Sequence, residues 1–141
     1  MARDKLHDVV RNALEKDGWT ITDDPLRLVV GADTMLVDLA AERLIAAERN
    51  EELIAVEIKG YDEPSTIHGF HGVIGQYLHY RLALEETHPN RKLYLAIPDA
   101  VFDTFFQREF AQLSIKRNAV ALLVYNVEQE AILHDKHARG Y

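Results

Sequence analysis

The sequence predicts a three-layer α/β fold in which a mixed central sheet carries helices on both faces. Three observations lead there. Apolar periodicity runs in the order helix, a series of strands, then helix, strand, helix, strand, and such an order calls for a sheet with antiparallel and parallel pairs. The length, 141 residues, is that of one domain, spanning residues 1–141; a domain of that size buries roughly 70% of its unfolded surface and needs no cross-link. The absence of cysteine removes disulfides, thiol catalysis and cysteine-based zinc sites together.

The first helix follows from Leu6, Val9, Val10, Ala13 and Leu14 on one stripe, with Asp4 as cap and Gly18 as stop. Trp19 to Thr22 reads as a short strand closed by Asp23-Asp24-Pro25, and Leu26, Leu28 and Val30 alternate as a second before Gly31. Met35 to Leu39 makes a third. Ile45 to Arg49 and Glu52 to Lys59 flank Asn50-Glu51 as a hairpin. Ser65 is placed to cap a long helix reaching about Glu86, with Ile67, Phe70, Ile74, Tyr77 and Leu78 along its apolar stripe. After His88-Pro89-Asn90 come a strand at Lys92 to Ile97, a helical region from Pro98-Asp99 to about Arg117 and a strand at Val120 to Tyr125, with a small addition at Ala131 to Leu133. The polar stretch His134 to Tyr141 is expected to fray.

Composition narrows the function classes. An apolar content of 48% with 28% charged residues is that of a globular chain and excludes a disordered one. No apolar run reaches the roughly 18 residues of a membrane span. The N-terminal residues lack the pattern of a secretory signal, so the expected location is cytoplasmic. A net charge of −7 rules out nucleic-acid binding through bulk surface charge. Any contact with DNA must be local, metal-assisted or shared with a partner.

The chemistry concentrates on one strand end. Along Leu53 to Lys59, strand alternation puts Ile54, Val56 and Ile58 on one face and Ala55, Glu57 and Lys59 on the other. An acid and a lysine so placed need partners, because buried charge is costly. A salt bridge at the sheet margin would account for them. Asp38, an acid between Val37 and Leu39, adds the second carboxylate that lets the group hold a hard divalent cation such as magnesium and position a water. A turn at Asn50-Glu51 sets Glu57 opposite Leu44, so bringing in Asp38 requires a bulge or short insertion at residues 40–43, and Glu42 is the alternative second carboxylate. On the long helix, Gln76 and Tyr80 share a face with Gly69 and Gly72 one and two turns upstream. Those two glycines and Gly75 each weaken the helix by about 1 kcal/mol relative to alanine, which asks for a close approach, expected at Gly72. His7 borders the stripe of the first helix, a position that is either structural or a ligand.

In this order the residues resemble the PD-(D/E)XK nuclease superfamily: a polar residue on helix 1, here His7, then Asp38, the Glu57-Ile58-Lys59 signature, and the Gln76-x-x-x-Tyr80 pattern of RecB-like members. The proline that often precedes the first aspartate is replaced by Val37. A more extensive resemblance is to the XisH family, carried by Leu14 to Pro25, Ala46 to Arg49, Ile54 to Lys59, Gly75 to Leu84 and Leu93 to Pro98. Gly60-Tyr61 stands where serine and phenylalanine are expected. The superfamily resemblance implies a restriction-endonuclease-like fold and a magnesium or manganese ion on Asp38 and Glu57. It further implies Lys59 acting on the attacking water or the phosphate, Gln76 and Tyr80 fixing the lysine or a phosphate, and His7 as an outer group. By analogy it also implies a homodimer. The family resemblance implies a controlling factor for excision of the fdxN element, a DNA segment removed during cyanobacterial cell differentiation, working with a site-specific recombinase and the small companion protein XisI. Two readings follow, a metal-dependent DNA endonuclease and a nuclease-fold regulator that binds DNA or a partner without cutting.

Overall fold

A computed structural model describes residues 2–45 and 50–136. Its sheet is mixed and carries helices on both faces. Helix α1 (Ala2–Lys16) leads into β1 (Thr20–Asp23), β2 (Leu26–Val30), β3 (Asp33–Val37), β4 (Leu39–Ile45) and β5 (Asn50–Ile58). A 3-10 turn (Glu63–Ser65) precedes α2 (Ile67–Thr87), β6 (Arg91–Pro98), α3 (Asp99–Phe102), a second 3-10 turn (Phe105–Gln107), α4 (Glu109–Arg117), β7 (Leu122–Asn126) and β8 (Ala131–Ile132). Six strands form the main sheet in the order β1-β4-β5-β6-β7-β8, and β2 pairs with β3 in a separate antiparallel hairpin. The β5–β6 and β6–β7 pairs are parallel and the others antiparallel. No described helix is long and apolar enough to cross a membrane.

Strand alternation divides the core in two. Ile54, Val56, Leu39, Ala41 and Tyr125 pack with Val9, Val10 and Leu14 of α1. On the other face, Ala55, Leu93, Leu95, Ile97 and Val124 pack with Phe70, Val73, Ile74 and Tyr77 of α2 and with the region after β6. Glu57 and Lys59 belong by parity to the α2 face. Tyr77 ties that layer down: its hydroxyl donates to the Leu93 carbonyl at 2.9 Å and accepts from the Ala121 N–H at 3.1 Å.

Several local expectations are corrected. Asn50 and Glu51, expected as a turn, are strand, paired with Ile45 and Leu44. Of the strand expected at Ile45–Arg49, residues 46–49 lie outside the described residues, and Ile45 is the last residue of a strand running Leu39–Ile45. Helix α1 begins upstream of Asp4, whose side chain lies outside the described residues. Gly18 ends α1 with φ +94°, the left-handed conformation that glycine adopts without a steric cost. Thr66, not Ser65, caps α2, its hydroxyl accepting the Gly69 N–H at 3.0 Å. The Ser65 hydroxyl instead donates to the Tyr61 carbonyl. The single helical region at 99–117 is broken into α3, a 3-10 turn and α4 because Thr104 (φ −114°, ψ −88°) and Arg108 (φ −68°, ψ 147°) leave the helical conformation, while Phe102, Phe105 and Phe106 all turn inward. Phe105 and Phe106 meet Phe70 at ring separations of 5.4 and 5.5 Å. The described part of the polar tail is held: His134 bonds Asp17 at 2.6 Å and Lys136 bonds Asp103 at 2.6 Å.

Candidate active site

Asp38 is the one residue between β3 and β4, where the chain leaves the small hairpin and enters the main sheet. Leu39 pairs with Val56, and one step further out Asp38 stands across from Glu57. No bulge interrupts β4–β5; the irregularity expected at residues 40–43 is unnecessary because the register pairs Ile45 with Asn50 and Leu39 with Val56. The ladder ends in a reciprocal clasp. The Asp38 N–H donates to Glu57 Oε1 at 3.3 Å, and Asp38 Oδ2 accepts the Ile58 N–H at 2.8 Å.

Both carboxylates are buried, with 9% of Asp38 and 6% of Glu57 exposed. Burial first, and then the charge of Asp38, push Glu57 from 4.5 up to about 8, while Lys59 only partly opposes them. Lys59 Nζ lies 3.6 Å from Glu57 Oε2 and 3.8 Å from Glu63 Oε2. Its backbone is pinned from two sides, with the N–H donating to the Ala96 carbonyl at 2.9 Å and the carbonyl accepting the Tyr125 hydroxyl at 2.7 Å.

Gln76 and Tyr80 reach the same cleft from α2, and Gln76 Nε2 donates to the Tyr80 hydroxyl at 3.2 Å. His7 reaches it from α1. Its Nε2 lies 2.6 Å from Asp24 Oδ1, and Arg11 holds the other oxygen of Asp24 at 2.5 Å. Asp38, Glu57, Lys59, Gln76, Tyr80 and His7 thus line one cleft of about 860 Å³. Glu42 does not line it: four residues along β4, it pairs with Leu53 and Thr20. Nor is Gly72 the close contact, since a Cβ there would meet nothing within 4 Å. That role belongs to Gly69, where a Cβ would fall 1.9 Å from the Glu63 carbonyl oxygen and displace the turn that follows Lys59.

Sequence reasoning missed Asp24, Glu63, Tyr61 and the β3 wall of Thr34 and Leu36. Glu63 stood four residues after Lys59 as a signal, whereas Asp24 looked like turn chemistry before Pro25. Two buried carboxylates suit magnesium, which is commonly held by one or two carboxylates with waters and substrate oxygens completing its shell. Among the described residues no cluster of three or more acids and histidines offers a fuller cage.

The comparisons with known proteins agree on family. The XisH protein family model matches residues 1–133. A crystal structure of an XisH family protein from Nostoc punctiforme PCC 73102 is 47% identical, with a TM-score of 0.83 over 93% of this chain and 98% of that one. The crystal structure of a fdxN element excision controlling factor protein from Anabaena variabilis is 45% identical, with a TM-score of 0.83 over 93% and 97%. A comparison with curated proteins finds no match. With a family match over nearly its full length and two solved relatives at this identity, the chain belongs to the XisH family.

Proposed function

We propose that the chain is a PD-(D/E)XK-type, restriction-endonuclease-like enzyme that hydrolyses DNA phosphodiesters in programmed site-specific excision. The observation that carries this is the clasp of Asp38 and Glu57 at adjacent strand ends with Lys59 against Glu57, in one cleft with Gln76 and Tyr80. A structural ion pair needs one acid per lysine. Here a second buried acid, Asp38, lies beside Glu57 and raises the electrostatic cost of keeping both ionised.

Asp38 and Glu57 would hold magnesium or manganese, which when bound supplies Lewis-acid polarisation of the phosphate and of a water. Lys59, outside the ligand pair, places its ammonium where negative charge grows on the phosphoryl oxygens. Gln76 and Tyr80, bonded to each other, present an amide and a hydroxyl to the same space. His7, fixed by Asp24, sits at the margin. The relative named as a fdxN element excision controlling factor supports a role in DNA excision. In that role the chain acts beside a recombinase and the companion XisI, as a homodimer that can reach both strands.

The regulatory alternative draws on the net charge of −7. A cleavage assay in magnesium and manganese on supercoiled, linear, branched and single-stranded DNA, with and without the companion, separates the two. Metal-dependent cutting that Asp38→Asn and Glu57→Gln abolish supports the enzyme. Metal-independent binding with no cutting in any arm supports the regulator.

A further inference from the structure

Tyr61 is 45% exposed and lines the cleft beside Lys59, an unusual place to leave a large ring in water. Its backbone is anything but loose. The N–H of Lys59 is held by Ala96, the Lys59 carbonyl by Tyr125 and the Tyr61 carbonyl by Ser65. At Gly60 a Cβ would lie 3.0 Å from Leu6 Cδ1, so the segment runs tight against α1. The chain therefore presents a solvated aromatic ring on a fixed backbone, and such pre-organisation lowers the entropic cost of binding. Leu36 of β3, 52% exposed, is another large apolar group in the lining of the same cleft.

Charge decides what the ring can receive. Asp62 and Glu63 line the cleft mouth, and the Tyr61 phenol is raised first by burial and then by the charges of Asp99 and Glu128. Phosphate attraction alone cannot hold a nucleic acid at such a site. A duplex brings one negative charge per about 1.7 Å and a single strand only one per about 3.4 Å. Stacking needs no charge, and only an unpaired base has an open face to stack. The volume of about 860 Å³ also lies in the roughly 300–1,000 Å³ range of pockets that enclose a small group.

We infer that Tyr61 is a stacking platform for an unpaired base, with Leu36 contributing to the apolar lining beside it, and that the cleft takes single-stranded or splayed DNA in preference to intact duplex. The inference rests on the nuclease reading and names its substrate class. The acids at the mouth then act as a filter against the doubled charge of a duplex.

The test measures fluorescence anisotropy of a labelled 20-mer single strand and of the same sequence as duplex, in calcium, for wild type, Tyr61→Ala and Tyr61→Phe. Wild type is expected to bind the single strand at least about tenfold more tightly than the duplex. Tyr61→Ala should weaken single-strand binding by about 5- to 150-fold, the range of one base–aromatic stack, and Tyr61→Phe should restore it to within about twofold. Equal affinity for the two DNAs, or a Tyr61→Ala loss that is absent or that phenylalanine does not rescue, overturns the inference. Cleavage in magnesium by the same proteins keeps the two ideas apart. Cutting with a duplex preference refutes the stacking inference alone, whereas intact stacking without cutting refutes the nuclease reading alone.

Discussion

Replacing Glu57 by glutamine without divalent metal separates a metal-binding carboxylate pair from an ordinary ion pair. Glu57 is raised from 4.5 to about 8, chiefly by burial and then by Asp38. Between those values the folded chain binds more protons than the unfolded one, so stability falls as pH rises through this window. The slope is at most about 1.4 kcal/mol per pH unit, and across the window the loss is at most about 5 kcal/mol. Below about pH 4.5 the folded-state advantage of the protonated acid is fully present, and by pH 9 it is gone. Glu57→Gln mimics the protonated form at every pH. Its stability should therefore match or exceed that of wild type at pH 8–9 and converge toward it at pH 5. Urea denaturation from pH 5 to 9 in a chelating buffer reads this out as the difference between the two curves. If Glu57→Gln is the less stable protein at pH 8–9, the acid is ionised and stabilising there, Lys59 has lost a needed partner, and the reasoning fails.

The same geometry makes three further predictions. Lys59→Ala should leave metal binding intact while cleavage falls about 100- to 1,000-fold, because the lysine acts on charge that develops in the transition state; single-turnover kinetics beside metal titration check both halves. Gly69→Ala should destabilise the fold by roughly 1–3 kcal/mol through its collision with the Glu63 carbonyl, whereas Gly72→Ala and Gly75→Ala, facing open space, should each gain about 1 kcal/mol of helix propensity. Thermal unfolding of the three variants gives their order. Tyr77→Phe removes a buried hydrogen bond to Leu93 and a part-buried one from Ala121, and should cost about 1–3 kcal/mol in denaturant titration.

Much of this was legible in the chain because periodicity reports burial directly. Ile54, Val56 and Ile58 do pack with the α1 layer, and Ala55, which shares the parity of Glu57 and Lys59, packs with α2. Asp38 was legible as a partner for Glu57, but the register that pairs them was not, since register depends on where a hairpin turns. Asn50-Glu51 carries turn chemistry yet sits in β5, and that shift of a few residues exchanges Leu44 for Asp38 opposite Glu57. The glycines show a second limit. Their number announced a constraint, but composition could not say which of the three lies under the turn at Glu63. Asp24 and Tyr61 illustrate a third, since their placement arises from tertiary neighbours, Arg11 and the pinned segment 59–61, and not from local pattern.

Isothermal titration of magnesium and manganese into wild type, Asp38→Asn, Glu57→Gln and Lys59→Ala at pH 8 tests the central claim, that Asp38 and Glu57 together hold one divalent cation. One site per chain is expected in wild type and in Lys59→Ala, and its loss or severe weakening in either carboxylate variant. A wild type that takes up no metal, or a Glu57→Gln protein that binds it as tightly as wild type, contradicts the account.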